Sequence, residues 1–536
     1  MLPRADAVAT LASESFDVLV IGGGITGAGV ALDAATRGYS VALVERADFA
    51  GGTSSRSSKL VHGGLRYLQN FDLGLVREAL VERQINVNLA PHLVRPLRFV
   101  VPAFDGQRLD RIMGVGLNAY DVMGLRRRRT RAELDWSPAR HRVISGADVR
   151  ELLPALADRS PTSGYLFYDC QTDDARLVLT VLTEAERFGA VAANRLEAIG
   201  LLEERGRAAG ALVRDAESGA ELEVRAANVV NATGVWADRL RPAELHDEAE
   251  VPVIRPARGT HLLLERDTLP VDAGAIVPAG EGRAIFVLPW LGQTLIGTTD
   301  TDHDGPAEHV RPSEEEIAYL LDAVNAYFAT SLTASDLVGA YAGVRPLIST
   351  GDPRKSVDIS RKAELYETSS GMVTITGGKL TTWRRMAKDT VDRIAWRDGS
   401  EVPCRTHEVP LGLPLGAGEL PDAPSREHLA ARYGHLAHDV LALGHAEPIV
   451  PGRPDLLAEV AYAARREQAR TLGDVLLRRT RLGLTAARAL LAPGAGVLER
   501  VADVLGTELG WDARRREREV EAFRFEAEQE GILPAP

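Results

Sequence analysis

The stretch FDVLVIGGGITGAGVALDAATRGYSVALVE, residues 16–45, decides the fold. Its first six residues are a short apolar, β-branched run of the kind that is buried in a parallel sheet. Gly22, Gly24 and Gly27 follow at once as GxGxxG. Ala28, Ala31, Leu32 and Ala35 then fall at i, i+3, i+4 and i+7, and Gly38 suits a helix stop. SVALVE supplies a second strand ending at Glu45, eighteen residues beyond the last glycine. This is a βαβ unit opening a parallel sheet. The first glycine permits the tight turn, the second lets backbone N–H groups reach a pyrophosphate, and the third allows close helix–strand packing. The helix N-terminus adds partial positive charge, and Glu45 is placed to accept from a ribose hydroxyl. The alternative, a glycine-rich turn with no ligand, leaves the acid without a purpose.

Outward from this unit the chain is an ordinary globular one. It has 536 residues, 45% hydrophobic and 26% charged, enough for two or three domains with substantial cores. A net charge of −12 argues against a general nucleic-acid binder. Cys170 and Cys404 form neither a disulfide framework nor a CxxC pair, so a reducing, cytoplasmic compartment is expected. No signal-peptide pattern opens the chain, and the longest apolar stretch, AIFVLPWLGQTLIG (284–297), is too short to span a bilayer.

Buried-strand character returns at AANVVNATG (226–234) and MVTITGG (372–378), so the dinucleotide domain is discontinuous. It is assigned residues 16–105, 165–245 and 335–397. Residues 106–164 and 246–334 carry alternating β-prone runs and are assigned to an antiparallel substrate domain. From 398 to 536 Ala, Leu, Arg and Glu recur at helical spacing, which marks a C-terminal helical domain. Within it VPLGLPLGAGELPDAP (409–424) reads as a linker. A nicotinamide dehydrogenase would continue as a regular doubly wound domain. Here a Ser-rich loop follows Glu45 and glycine-rich strand ends recur at Ala232, Thr233, Gly234 and at Gly377, Gly378, which suits the longer FAD. In TGGKL, residues 376–380, a helix N-terminus after two glycines sets N–H groups where reduced flavin gathers negative charge; from spacing alone an ordinary glycine loop remains equally open.

The motifs VIGGGITGAGVALDAATRG, GTSSRSSKLVHGGLRYL, NATGVWAD, RGTHLLL, IGTTDTD, YAGVRPL and TITGGKLTTWRRMA occur in one order. In that combination, over nearly the whole chain, the sequence resembles the FAD-dependent glycerol-3-phosphate dehydrogenases. EVAYAARREQARTLGDVLLRRTRL (459–482) is similar to that family's helical cap domain. Two departures are Trp383, where a Tyr is common, and Gly473, where an acid is usual. The resemblance implies an α/β fold of the glycine and D-amino-acid oxidase type. It also implies oxidation of sn-glycerol 3-phosphate to dihydroxyacetone phosphate, a hydride passing from C2 to flavin N5 and electrons going on to a membrane quinone. The expected partners are therefore glycerol 3-phosphate, a quinone and, peripherally, the inner membrane surface. A homodimer and the mode of FAD attachment are left open. Electron transfer to O2 would make the chain a glycerophosphate oxidase, and a flavin-binding regulatory module without turnover is the alternative from another class.

The chemistry needs a base for the C2 hydroxyl and a grip on a phosphate dianion, for which Arg offers a planar fork and Lys a compact charge. Arg66, Tyr67, Arg345 and Lys379 match family positions lining the substrate site, and Arg361 joins them. His261 matches a family His and is the candidate base, with Arg345 as the other catalytic candidate. On spacing alone each has a structural reading as well. In TSSRSSKLVHGGLRYL, residues 53–59 are read as a loop laid along FAD, with Thr53, Ser54, Ser58 and Lys59 beside it; Lys379 and Leu380 also face the cofactor. The chain then turns at Gly63 and Gly64 toward the substrate, and His62 has no assigned part. DTDHD (300–304) reads as a solvated turn, with no metal expected. LRRRRTR (125–131) reads as an exposed end or a contact with anionic lipid. RRREREVEAFRFEAEQE (514–530) reads as a solvated helix.

Overall fold

The computed structural model describes the chain except residues 66–71, 105–108, 125–137, 241–252, 281, 350–362, 422–424 and 534–536. Two sheets organise it. In the first, strands Val373–Gly377, Glu221–Asn231, Ser15–Ile21, Val41–Val44 and Val191–Ala193 lie side by side and parallel, with Ala363–Glu367 antiparallel at one edge. Helices Ile25–Thr36, Asp174–Arg187 and Trp383–Asp398 share one core on its face. Gly29 lets two of them touch, since a Cβ there would lie 2.7 Å from the Trp383 ring. The other face is covered by helix Arg4–Ser13 and the hairpin Leu196–Glu204 with Arg207–Asp215.

The second sheet has ten strands and is antiparallel except where Gly274–Pro278 meets Arg95–Phe104. Helix Glu314–Phe328 packs on it. The expected antiparallel sheet is present, and it takes in strands from outside residues 106–164 and 246–334. Arg95–Phe104 and Leu337–Ser349, assigned above to the dinucleotide domain, pair with Pro161–Gln171 and Val253–Glu265 in the second sheet. An apolar run announces a strand, while the partner it bonds to is chosen by chain far away.

The last quarter of the described chain is helical and shares a core with the second sheet. Two expectations about it change. Val409 and Leu411 of the supposed linker are buried in the first domain's core, and the Leu411 N–H donates to the Leu89 carbonyl at 2.8 Å. Helix Ala513–Glu530 is not simply solvated: Val520, Phe523 and Ala527 are buried, and Glu530 is ion-paired with Arg56. The Ile532 carbonyl beyond it accepts from the Ala340 N–H at 2.8 Å. Gly473 is explained by the same helix. A Cβ there would lie 2.1 Å from the Glu526 carboxylate, so an acid from residue 526 fills the space beside the glycine. Among the described residues no helix is long and apolar enough to cross a membrane.

Candidate active site

The sequence-expected cofactor residues converge at the carboxyl ends of four neighbouring parallel strands: Gly22 after Ile21, Glu45 after Val44, Ala232 to Gly234 after Asn231, and Gly378 after Gly377. Open α/β sheets bind nucleotides at such an edge. The glycines are there for space. A Cβ on Gly22 would stand 2.6 Å from the Ala232 carbonyl oxygen, and one on Gly27 would stand 1.9 Å from the Gly22 oxygen. Glu45 accepts from the N–H groups of Gly23 (2.7 Å) and Ala47 (2.9 Å), and burial pushes its carboxyl above the ordinary range. Ser54 Oγ lies at the start of the helix, accepting from the Ile25 N–H at 3.0 Å. Gly377 and Gly378 both take the left-handed conformation, φ 76° and 74°, to turn the strand into the helix. A glycine cradle, a helix N-terminus and a half-buried acid fit an adenine dinucleotide.

Residues 53–59 run from this edge onto the second sheet. Thr53 Oγ1 donates to the Val344 carbonyl at 2.5 Å, and the Tyr341 hydroxyl donates to the Ser57 carbonyl at 2.7 Å. Gly343 makes this contact possible, because a Cβ there would lie 2.6 Å from that of Arg56. One assignment needs correcting. Lys59 is fully buried and spends its ammonium on the Ser55 carbonyl and both Asp174 oxygens, at 2.7, 3.0 and 2.8 Å. With three donors and three acceptors it has nothing left for a cofactor. Burial and the nearby Arg481 guanidinium lower its pKa to about 7, while Asp174 is held below the usual carboxylate range by Lys59 and Arg481 against its own burial.

Strands Val253–Glu265 and Leu337–Ser349 pair His261 with Tyr341, Gly259 with Gly343 and Ala257 with Arg345, so all six share one face. Small residues clear that face. A Cβ on Gly259 would stand 2.3 Å from Arg345 Nη2, and one on Gly297 would stand 2.3 Å from the His261 ring. Arg345 is fixed by the Thr298 hydroxyl (3.0 Å), the Thr299 carbonyl (3.1 Å) and Asp300 (3.1 Å). Asp300, read above as part of a solvated turn, is therefore a partner of the proposed clamp. Lys379 follows the glycine turn, at the head of the short helix Leu380–Thr382. Arg66, Tyr67 and Arg361 lie outside the described residues.

His261 stacks on Tyr341, with ring centroids 4.7 Å apart, and its Nε2 lies 2.8 Å from Ser58 Oγ. Burial, with the Lys59 and Arg345 cations adding to it, holds the imidazole pKa well below its ordinary value. The ring is therefore neutral and weakly basic at neutral pH. In the unfolded chain it takes up a proton near its ordinary pKa of about 6.5, so its effect is to lower stability as pH falls below that value. A His261→Gln protein is expected to lose less thermal stability between pH 7 and 5 than the parent. Its pH–rate profile should keep its shape if the ring only positions Ser58. Loss of the acid-side limb, the rise in kcat as pH climbs through the depressed imidazole pKa, would instead make His261 the base.

Sequence reading passed over Tyr341, Thr298 and Asp300, and also the coupling of His62 to the cofactor-side helix. There the Thr381 hydroxyl accepts from the His62 N–H at 3.0 Å and donates to its carbonyl at 3.2 Å.

With this geometry in hand, comparison with known proteins gives a consistent answer. Residues 17–393 match the family described as FAD dependent oxidoreductase, and residues 374–516 match the C-terminal domain of alpha-glycerophosphate oxidase. Glycerol-3-phosphate dehydrogenase 2 of Mycobacterium tuberculosis is 39% identical over 99% of this chain and 91% of its own length. The chain belongs to the FAD-dependent glycerol-3-phosphate dehydrogenase family. The glycerol-3-phosphate dehydrogenase of Bacillus halodurans, solved with FAD, superposes with a TM-score of 0.76 at 29% identity, covering 99% of this chain and 98% of that one. Glycine oxidase from Bacillus cereus, at 20% identity and a TM-score of 0.51 over 71% of this chain and 96% of its own, shares the fold. Both the expected fold type and FAD as the cofactor agree with these findings.

Proposed function

We propose that this chain oxidises sn-glycerol 3-phosphate to dihydroxyacetone phosphate and passes the electrons to a membrane quinone. The observation that carries the reading is the glycine-cleared face holding Arg345 and His261, joined to the FAD edge by residues 53–59. FAD, when bound, supplies the acceptor for the hydride that leaves C2. The chain's residues bind and orient. Arg345, already fixed by Thr298, Thr299 and Asp300, offers a planar cation to the phosphate without having to be ordered first. Lys379 adds a second cation beside the glycine turn, and Arg66, Tyr67 and Arg361 are proposed to complete the grip. The C2 hydroxyl proton leaves to a neutral base on the same face, for which His261 is the candidate.

The membrane side of the reading is supported by helix Arg111–Gly124. Ile112, Val115 and Val122 on it are 80%, 71% and 65% exposed. Arg111, Arg140 and Arg142 are exposed along the same stretch of chain, and residues 125–131, outside the described residues, carry five more Arg in sequence. Apolar side chains rimmed by cations suit an anionic lipid surface. A second reading, transfer to O2, is favoured by the match of residues 374–516 to a glycerophosphate oxidase domain.

One experiment addresses these readings together. Anaerobic glycerol 3-phosphate should bleach the flavin band near ~450 nm. The reduced protein is then offered either air or quinone in anionic vesicles. Rapid reoxidation by the vesicles with little peroxide in air is expected. Stoichiometric peroxide would select the oxidase reading, and an unbleached flavin would remove the substrate assignment.

A further inference from the structure

Residues 478–481 of the C-terminal domain, RRTR, turn their arginines into the first domain rather than toward solvent. Arg479 is fully buried and forms a bidentate pair with Asp48, Nη1 to Oδ2 at 2.6 Å and Nη2 to Oδ1 at 2.8 Å. Arg478 Nε donates to the same carboxylate at 2.6 Å, and Asn194 donates at 3.1 Å. Asp48 stands three residues past Glu45, at the start of the loop that continues into residues 53–59. Arg481, also fully buried, donates from Nη2 to the Ser55 carbonyl at 2.7 Å and to Asp174 Oδ1 at 2.9 Å. Asp174 Oδ2 in turn accepts from the Ser57 N–H (3.0 Å) and hydroxyl (2.7 Å).

The backbone bears the mark of this clamp. Ala50, Lys59 and Arg481 all sit in the left-handed region, at φ 61°, 61° and 66°. Such conformations cost of order 1 kcal/mol or more apiece in a residue with a Cβ and persist where the surroundings over-determine them. Buried charges are likewise poor sources of net stability, because desolvation cancels much of their attraction. Apolar side chains would hold two domains together as well. What the charged groups add is a fixed position for particular backbone atoms, and those atoms belong to the cofactor loop.

We propose that Arg478, Arg479 and Arg481, through Asp48 and Asp174, are positioning residues for the FAD-facing loop, so that the C-terminal helical domain forms part of the cofactor site. The proposal rests on the reading that residues 53–59 lie along FAD.

The test uses the full-length holoenzyme. Ser57→Ala removes the hydrogen bond its hydroxyl donates to Asp174 and the one it accepts from the Lys59 N–H at 3.1 Å without disturbing any charge, and Arg481→Lys keeps the charge while losing the fork. Arg470→Lys is the control, because Arg470 forks onto Glu217 across the same domain boundary, at 2.7 and 2.9 Å, and the pair lies outside the Asp48 and Asp174 clusters. Released-flavin fluorescence, the visible spectrum of bound flavin and the melting temperature are read for each. Ser57→Ala and Arg481→Lys should release FAD about tenfold faster, with a shifted flavin spectrum. Arg470→Lys should leave both flavin readouts at the parental value, whatever it does to the melting temperature. Wild-type FAD release in Ser57→Ala, or equal acceleration in Arg470→Lys, overturns the proposal. If Arg481→Lys does not fold, Ser57→Ala decides. Flavin release is measured without substrate, so a parent protein that glycerol 3-phosphate does not bleach would remove the substrate assignment while this contrast stood.

Discussion

Arg345→Ala is expected to lower kcat/KM for glycerol 3-phosphate by roughly 30- to 1000-fold, equivalent to about 2–4 kcal/mol, while the protein purifies with its normal flavin content. The size follows from what is lost. A guanidinium pinned by two threonines and Asp300 presents its charge with little ordering left to do, and no neighbouring side chain replaces a planar fork. Flavin content should hold because the groups that fix Arg345 follow strand Gln293–Gly297 of the second sheet and are not the cofactor glycines. Arg345→Lys should recover part of the loss, since it restores the charge without the fork. Steady-state kinetics together with the flavin-to-protein absorbance ratio checks both halves. Parental kcat/KM in the Ala variant would remove Arg345 from the substrate grip.

Gly27→Ala is expected to yield a folded protein that purifies almost free of flavin. One methyl group is enough because the added Cβ would stand 1.9 Å from the Gly22 carbonyl oxygen, with backbone on both sides of the contact. Relief requires the helix to back away from the strand, and overpacking of this kind costs about 1–3 kcal/mol. The same movement carries the helix N-terminus and its N–H groups off the pyrophosphate position, so binding loses its main electrostatic donor set. Gly74→Ala, where an added Cβ meets nothing within 4 Å, serves as the neutral control. The flavin-to-protein ratio, and recovery on adding excess FAD, measure the effect. A Gly27→Ala protein with full flavin content would contradict the packing account.

What the sequence revealed and what it concealed divide by distance along the chain. The strand–turn–helix of residues 16–45 was legible because every signal in it is local: an apolar run, three glycines and a helical repeat. The cofactor edge at 231–234 and 376–380 was legible for the same reason. By contrast, Lys59 looked like an anion-binding lysine because its sequence neighbours are Ser and Arg, while the residue that decides its role is Asp174. Asp300 looked like part of a solvated turn until Arg345 was placed beside it. Residues 337–349 are assigned to the dinucleotide domain from sequence, and nothing local to them hints that they join the second sheet. Gly343 had no local reason to be glycine; its reason is the backbone of Arg56 lying across it. Helix Ala513–Glu530 read as solvated because its charges alternate, and a repeat of signs does not disclose that Glu530 meets a cation nearly five hundred residues earlier.

That last contact bears on how the protein is made. The βαβ unit leaves the ribosome well before helix Ala513–Glu530, so Arg56, in the loop that follows it, finds Glu530 only after that helix has been synthesised, and strand Leu337–Ser349 likewise waits for the Ile532 carbonyl. Sequence-distant contacts of this kind form late in folding. The nascent chain can build its nucleotide edge early but cannot fasten the loop until residue 530 has emerged. Truncations at the C-terminus should therefore produce a protein defective in flavin loading, rather than a smaller working enzyme.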